Sequence, residues 1–222
     1  EKSAETSEAV KIETKETTAQ TTARETTKKI TAATRSTGEK NALSSAESYL
    51  KILSFSRSGL IEQLEYEGYS YDEAVYAVDN CGADWFEQAV KKAQSYIDFM
   101  SFSQQSLIEQ LEYEGFTHEQ AVYGVESVGI DGGSQALDKA KSYLSYMAFS
   151  RSGLIEQLEF EGFSHEDAVS AVDSCGADWF EQAAKKAQSY IDFMQFSRSG
   201  LIEQLEFEGF THAQAEYGAE AV

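Results

Sequence analysis

The chain has no proline, only two cysteines and, in its first 40 residues, no Phe, Tyr or Trp. Nowhere does it approach the roughly 18 consecutive apolar residues that a membrane-spanning helix needs. Basic side chains are also scarce. Eighteen Lys and Arg against 38 Asp and Glu leave a formal charge of -20, which repels a phosphate backbone and disfavours nucleic-acid binding. With two cysteines, Cys81 and Cys175, one bridge is the most the chain can hold, and it would close a loop of about 94 residues. Both alternate with Val128 and Val222 at the same repeat position, which marks small apolar residues rather than a pair.

Residues 1–40 carry eight basic and seven acidic side chains together with eleven Thr. Without aromatics such a segment cannot bury enough apolar surface to offset the entropy of ordering it, so the composition predicts a disordered spacer. As a flexible coil it would reach about 35 Å. The chain opens at Glu1 with no initiator Met or signal peptide, as expected of a processed or trimmed form.

From Ala42 onward a 47-residue unit repeats four times, beginning at Ala42, Ala89, Ala136 and Ala183. Each copy carries Ser-Tyr, Phe-Ser, LIEQLE and Glu-Gly in that order. A second period of 94 lies above the first: copies one and three share CGADWFEQA, while copies two and four share KKAQSYIDFM. Within a copy the pattern is helical. Ala42, Ala46, Tyr49, Leu50 and Leu53 fall on one face of a first helix. Ser56 caps a second, which runs through Leu60, Ile61 and Leu64 to Gly68. Ser70 with Glu73, and Thr117 with Gln120, form capping boxes for a third, and Asp84 with Glu87 signals the next start. No run alternates as a strand would. The expectation is an all-α chain of four three-helix repeats with helix-turn-helix-like units, about twelve helices in all.

The joints differ. Trp85 and Phe86, like Trp179 and Phe180, can lock neighbouring copies, whereas Gly132 and Gly133 stand at the middle joint. That predicts one two-repeat module over 41–131, a glycine hinge at 132–135 and a second module over 136–222.

Motifs for catalysis are missing: there is no HxxxH, no cysteine pair at ligand spacing, no phosphate-cradling glycine loop and no GxSxG elbow. The three histidines, His118, His165 and His212, share one repeat position that is Tyr71 in the first copy, which reads as a solvated first-turn residue. No enzyme, cofactor or metal is expected.

LIEQLE instead places paired carboxylates on the second helix of every copy: Glu62 and Glu65, Glu109 and Glu112, Glu156 and Glu159, Glu203 and Glu206. None has a Lys or Arg four residues on, so the stripe is not neutralised along its own helix. Tyr66, Tyr113, Phe160 and Phe207 sit beside them as candidate anchors for a basic partner, although aromatics at helical spacing are more often core. An acidic solvated face serving solubility alone is the plain alternative. The second and third helices resemble a DNA-reading helix pair, but Asp72, Glu73 and Asp79 lie on the would-be reading helix, with no basic residue from Tyr71 to Asn80. That sign also leaves open an acidic mimic of nucleic acid.

The segment YLKILSFSRSGLIEQLEYEGYSYDEAVYAVDNCGADWFEQAVKKAQSYI and its three echoes resemble the repeat of the host cell surface-exposed lipoprotein (Ltp) family. The resemblance covers residues 42–222 and implies a lipid anchor on the outer face of a Gram-positive cell membrane, a polar spacer and helix-turn-helix-like repeats, usually paired. It implies superinfection exclusion, in which injection of phage DNA is blocked, with the phage tape-measure protein as target. Contact with the membrane would come only through an N-terminal lipid anchor absent from this sequence, and the chain is expected to be monomeric. An acidic mimic of nucleic acid and a wall-associated adhesin or scaffold are the other readings.

Overall fold

A computed structural model of the chain describes residues 35–222, and twelve helices account for most of them. We number them α1 Thr37–Leu50, α2 Arg57–Tyr66, α3 Tyr71–Asn80, α4 Trp85–Ile97, α5 Gln104–Tyr113, α6 His118–Val128, α7 Gly132–Tyr146, α8 Arg151–Phe160, α9 His165–Ser174, α10 Trp179–Ile191, α11 Arg198–Phe207 and α12 His212–Glu220. Among the described residues there is no strand. Three helices per repeat, expected from the spacing, are what the chain forms.

Each helix begins where a side chain can accept an orphan amide. Ser36 and Glu39 close a capping box on α1, Ser70 and Glu73 on α3, and Thr117 and Gln120 on α6. Ser56 accepts from Gly59 at the start of α2, and Asp84 accepts from Phe86 and Glu87 at the start of α4. The second helix ends in a Schellman turn. Gly68 takes φ 96°, its amide donates to Glu65, and the Tyr69 amide donates to Leu64.

Each repeat owns its core. In the first, Ala42 and Ala46 of α1, Leu60, Ile61 and Leu64 of α2, and Ala74, Ala77 and Val78 of α3 are all buried together. Small residues at the crossing of first and third helices bring the backbones close. In the second and fourth repeats Gly124 and Gly218 stand there, and a Cβ on Gly124 would lie 2.9 Å from the Ala89 carbonyl. Burial of each Leu or Ile stabilises by about 1.5–3 kcal/mol, and four such cores recur along the chain.

The repeats are joined through the second helix. Ser56 Oγ, besides capping α2, donates to the carbonyl of Glu114 just past α5, at 2.5 Å, and Ser58 Oγ donates to that of Gly115 at 2.9 Å. Ser103 makes the same bond to Glu161 at 2.6 Å, and Ser150 to Glu208 at 2.6 Å. The N-terminus of each second helix therefore meets the C-terminus of the next repeat's second helix. Amide ends face carbonyl ends, so the macrodipoles of α11, α8, α5 and α2 run head to tail in one column.

Three expectations need correction. Residues 37–40, assigned to the spacer, are the first turn of α1, because Ser36 and Glu39 cap it; the rest of that expectation, up to residue 34, lies outside the described residues. Leu53, placed on the inner face of the first helix, lies beyond its end and is exposed. Residues 132–135, expected as a glycine hinge, are helical, so any hinge lies before them: Gly132 and Gly133 form the first turn of α7, with the Asp167 carboxylate 2.8 Å from where a Gly132 Cβ would stand.

The joints nonetheless differ as their residues do. Trp85 and Trp179, at the first turns of α4 and α10, pack on the core of the preceding repeat. At the middle joint Ile130, just before α7, packs on the core of the second repeat instead; the Phe102 amide donates to Gln135 Oε1 at 3.2 Å, and Asp131 precedes α7 without a side-chain capping bond. At the tryptophan joints the equivalent Gln88 and Gln182 are buried with Oε1 unpartnered.

Leu64→Ala is expected to cost about 2–5 kcal/mol by opening a cavity in the first repeat, read in urea through the fluorescence of Trp85 on the same core. A hinge between α6 and α7 predicts that Ser103→Ala broadens the size distribution in small-angle scattering. Ser56→Ala, whose joint keeps its tryptophan, is expected to leave it unchanged.

Candidate functional site

Leu60, Ile61 and Leu64 fix the inward face of α2. With about 100° between successive residues, Tyr66 then points directly outward, Glu62 lies beside it and Glu65 sits toward α3. The same reading holds for α5, α8 and α11, whose sequences differ little. All eight glutamates expected to form the attracting face are exposed. The aromatics, which helical spacing alone would assign more often to a core, are exposed as well: Tyr66 90%, Tyr113 86%, Phe160 87% and Phe207 87%. An aromatic ring left nearly bare in all four repeats is costly in water, and such apolar surface marks contact sites.

The order of the helices around the second one fixes which groups share this face. Gln63 and Glu67 both reach the Tyr49 hydroxyl of the first helix, which puts α1 on one side. On the other side the third helix brings histidine to the second glutamate: His118 Nδ1 lies 2.6 Å from Glu112, His212 lies 2.8 Å from Glu206, and His165 pairs with Glu159. The histidines are solvated first-turn residues, as their exchange with Tyr71 suggested, but each contacts the acidic stripe, which sequence spacing along one helix did not reveal. Among the described residues Glu62, Glu65, Glu109, Glu156 and Glu203 have no cationic partner.

Several of the other acids are paired. Arg57, Arg151 and Arg198 at the start of the second helices pair with Asp79, Asp173 and Glu220. Bonding to Asp173 raises the Arg151 pKa, and bonding to Arg151 lowers that of Asp173. Lys92 and Lys186 hold Glu114 and Glu208 at 2.8 and 2.6 Å, with Tyr96 and Tyr190 bonding the same carboxylates. Burial first, and Glu114 next, push the Tyr96 phenol up to about 12. These basic residues pair acids at the helix junctions and do not reach Glu62 or its equivalents; Asp72, Glu119, Glu126 and Glu166 likewise have no cationic partner among the described residues.

Another recurrent apolar position escaped the sequence reading. Ile52 (82%), Phe99 (87%), Tyr146 (85%) and Phe193 (88%), at or just past the end of the first helix, are exposed at the 47-residue period, each followed by an exposed Leu or Met. The period was the available signal. A short loop carries no facial periodicity, so only the structure shows these side chains outside the core.

Cys81 and Cys175 are free thiols, each 3.1 Å from the carbonyl of Val78 or Val172. Among the described residues no three His, Cys, Asp or Glu converge as a metal site requires, and no helix is long and apolar enough to cross a membrane.

The model of the host cell surface-exposed lipoprotein family matches residues 38–81, 84–128, 131–174 and 178–222, each match spanning one three-helix repeat. The chain belongs to this Ltp family. Among solved structures, Ltp, a superinfection exclusion protein from the Streptococcus thermophilus temperate phage TP-J34, is similar at 33% identity over 44% of this chain and all of its own, with a TM-score of 0.41. No curated protein matches. The matched segments begin at the first helix of each unit, so this Ltp-family member presents the outward face of the second helix once per family repeat.

Hydrogen bonding to Glu206, aided by the charge of Glu216, raises the pKa of His212 above the ordinary imidazole value. The stabilisation from this pair is therefore fully present below that ordinary value and is lost as pH rises through the raised one. A proton NMR titration is expected to place His212 above a free imidazole, and Glu206→Gln to bring it down.

Proposed function

We propose that this Ltp-family chain is a lipid-anchored protein of the outer membrane face that blocks injection of phage DNA by capturing a basic segment of the incoming injection machinery. The tape-measure protein is the target to which the family resemblance points. One observation carries the reading: in all four repeats a bare aromatic ring stands beside outward carboxylates, and five of the eight have no cation within the described residues. A solubility surface needs charge but gains nothing from exposed rings, whereas a binding surface uses rings as anchors and charge for steering.

The mechanism is non-enzymatic. Charge draws a positive segment toward the column of second helices, a long-range attraction that salt screens over about 8–10 Å. Tyr66, Tyr113, Phe160 and Phe207 then add desolvated contact. Four copies on one chain keep a released segment within reach of the next, so modest single-site affinities multiply into retention.

Reversing all eight stripe glutamates to Lys is expected to abolish protection in a phage-plating assay, with far-UV circular dichroism unchanged. Removing the four rings as Ala is expected to cost about 1 kcal/mol or more per engaged ring and to weaken protection with less change in its salt dependence. Full resistance in the charge-reversed variant would rule the electrostatic capture out.

A further inference from the structure

The three internal joints repeat one contact, and among the described residues the two halves of that contact are unpaired in the first and fourth repeats. On the giving side, Ser56, Ser103 and Ser150 are buried because they clasp the next repeat, whereas Ser197 at the head of α11 is exposed, accepts the Gly200 amide as a cap and otherwise meets only Ser199. On the receiving side, the carbonyls of Glu114, Glu161 and Glu208 are each clasped, while that of Glu67 has no such donor among the described residues.

Side-chain grooves tell the same story. At the middle joint the connection Ile97–Ser101 faces Gln135, Asp138, Lys139 and Ser142 of α7 across a groove of about 410 Å³. At the last joint Leu144–Phe149 faces Lys185, Lys186 and Ser189 of α10 across about 480 Å³. The equivalent face of α1, with Ser44, Ser45, Ser48, Tyr49 and Glu67, lines an open groove of about 490 Å³. In the other repeats the connection from the preceding copy lies along this face.

The geometry points to a fourth joint of the same kind, formed between two copies of the chain: the C-terminal repeat of one seats on the N-terminal groove of the next. The 94-residue period makes the contact specific. It carries Ser103 onto Ser197, Phe102 onto Phe196, Glu161 onto Glu67 and Gly162 onto Gly68, so the intermolecular joint keeps the serine clasp of the middle joint, with Asn41 where that joint has Gln135 and Ser45 where it has Lys139. Gly38 stands where that joint has Gly132, so no tryptophan is required of it. Ser197 Oγ of one copy donates to the Glu67 carbonyl of the other, and Phe193 and Met194, exposed in the single chain, cover the groove. The column of second helices then continues from copy to copy with its dipoles aligned. This contact is heterologous and does not close, so it extends into chains rather than stopping at a dimer.

An internal joint forms under the effective concentration set by its short tether, of millimolar order. Between free copies the same joint must meet the entropy of association. The chain is therefore monomeric when dilute and associates when crowded, as on a surface to which many copies are fixed.

Two variants on the full chain test this. Ser197→Asp keeps a good helix cap but has no proton to give the Glu67 carbonyl. Ser48→Trp changes an exposed residue of α1 and fills the receiving groove. Sedimentation velocity up to millimolar concentration is expected to show the mass of the unaltered chain rising past that of a dimer. Each variant alone should associate at least tenfold more weakly, with unchanged circular dichroism. Mixed in equal amounts, each supplies the end the other lacks, and the mixture is expected to stop at the dimer. An unaltered chain that stays monomeric throughout, variants that associate as it does, or a mixture that forms no dimer would each overturn the joint. Phage plating is not the readout, so failure here and failure of the capture mechanism are separable.

Discussion

A serine hydroxyl with two tasks holds this molecule in one piece. Ser56, Ser103 and Ser150 each accept the amide that opens a helix and donate their single proton to the carbonyl that closes another. Both groups are orphans of helix termini that would otherwise need water. Once the serine is buried between them, the hydroxyl satisfies both ends at once, and water is no longer needed at the joint. The receiving end must have a glycine after the clasped carbonyl for two reasons. The Schellman turn needs positive φ, and a Cβ on Gly162, for example, would lie 2.9 Å from Ser103 Oγ. The Glu-Gly at Glu114, Glu161 and Glu208 is therefore a structural signature of the joint: each carbonyl is tied by Ser, each carboxylate by Lys, and those of Glu114 and Glu208 by Tyr as well.

Because every repeat has its own core, the joints carry little of the folding energy and most of the shape. Tryptophan gives two of them apolar area. The middle joint has Ile130 on the core of the second repeat, with hydrogen bonds from Ser103 and to Gln135. The 94-residue period of the sequence includes this alternation of tryptophan and glycine at the joints. Duplicating a two-repeat unit doubles a surface without redesigning its core, since each repeat contacts only its neighbours.

Two groups of acids differ in their physics. Acids at the ends of the second and third helices are held by Lys92, Lys139, Lys186, Arg57, Arg151 and Arg198, where ion pairs and hydrogen bonds position helices against each other. The second-helix stripe receives at most a histidine, whose charge falls away as pH rises. Uncompensated charge on a rigid helix is a field directed outward, and the bare rings beside it supply the short-range contact that charge alone lacks.

Periodicity, caps and glycine stops determined the helices, the four repeats and the outward placement of Glu62 and its equivalents, because these follow from residues a few positions apart on one helix. The caps at Ser56, Ser70 and Asp84 were legible for that reason, and so was the family repeat. Tertiary structure alone decided the rest. It joined Ser56 to Glu114 across 58 residues, brought His118 to Glu112 from a different helix, left Tyr66 bare where spacing alone favoured a core, and made Gly132 a helical first turn beneath Asp167. These outcomes depend on which helices meet and at what distance, and a hydroxyl, an imidazole or a ring carries no mark in sequence of the partner it will find.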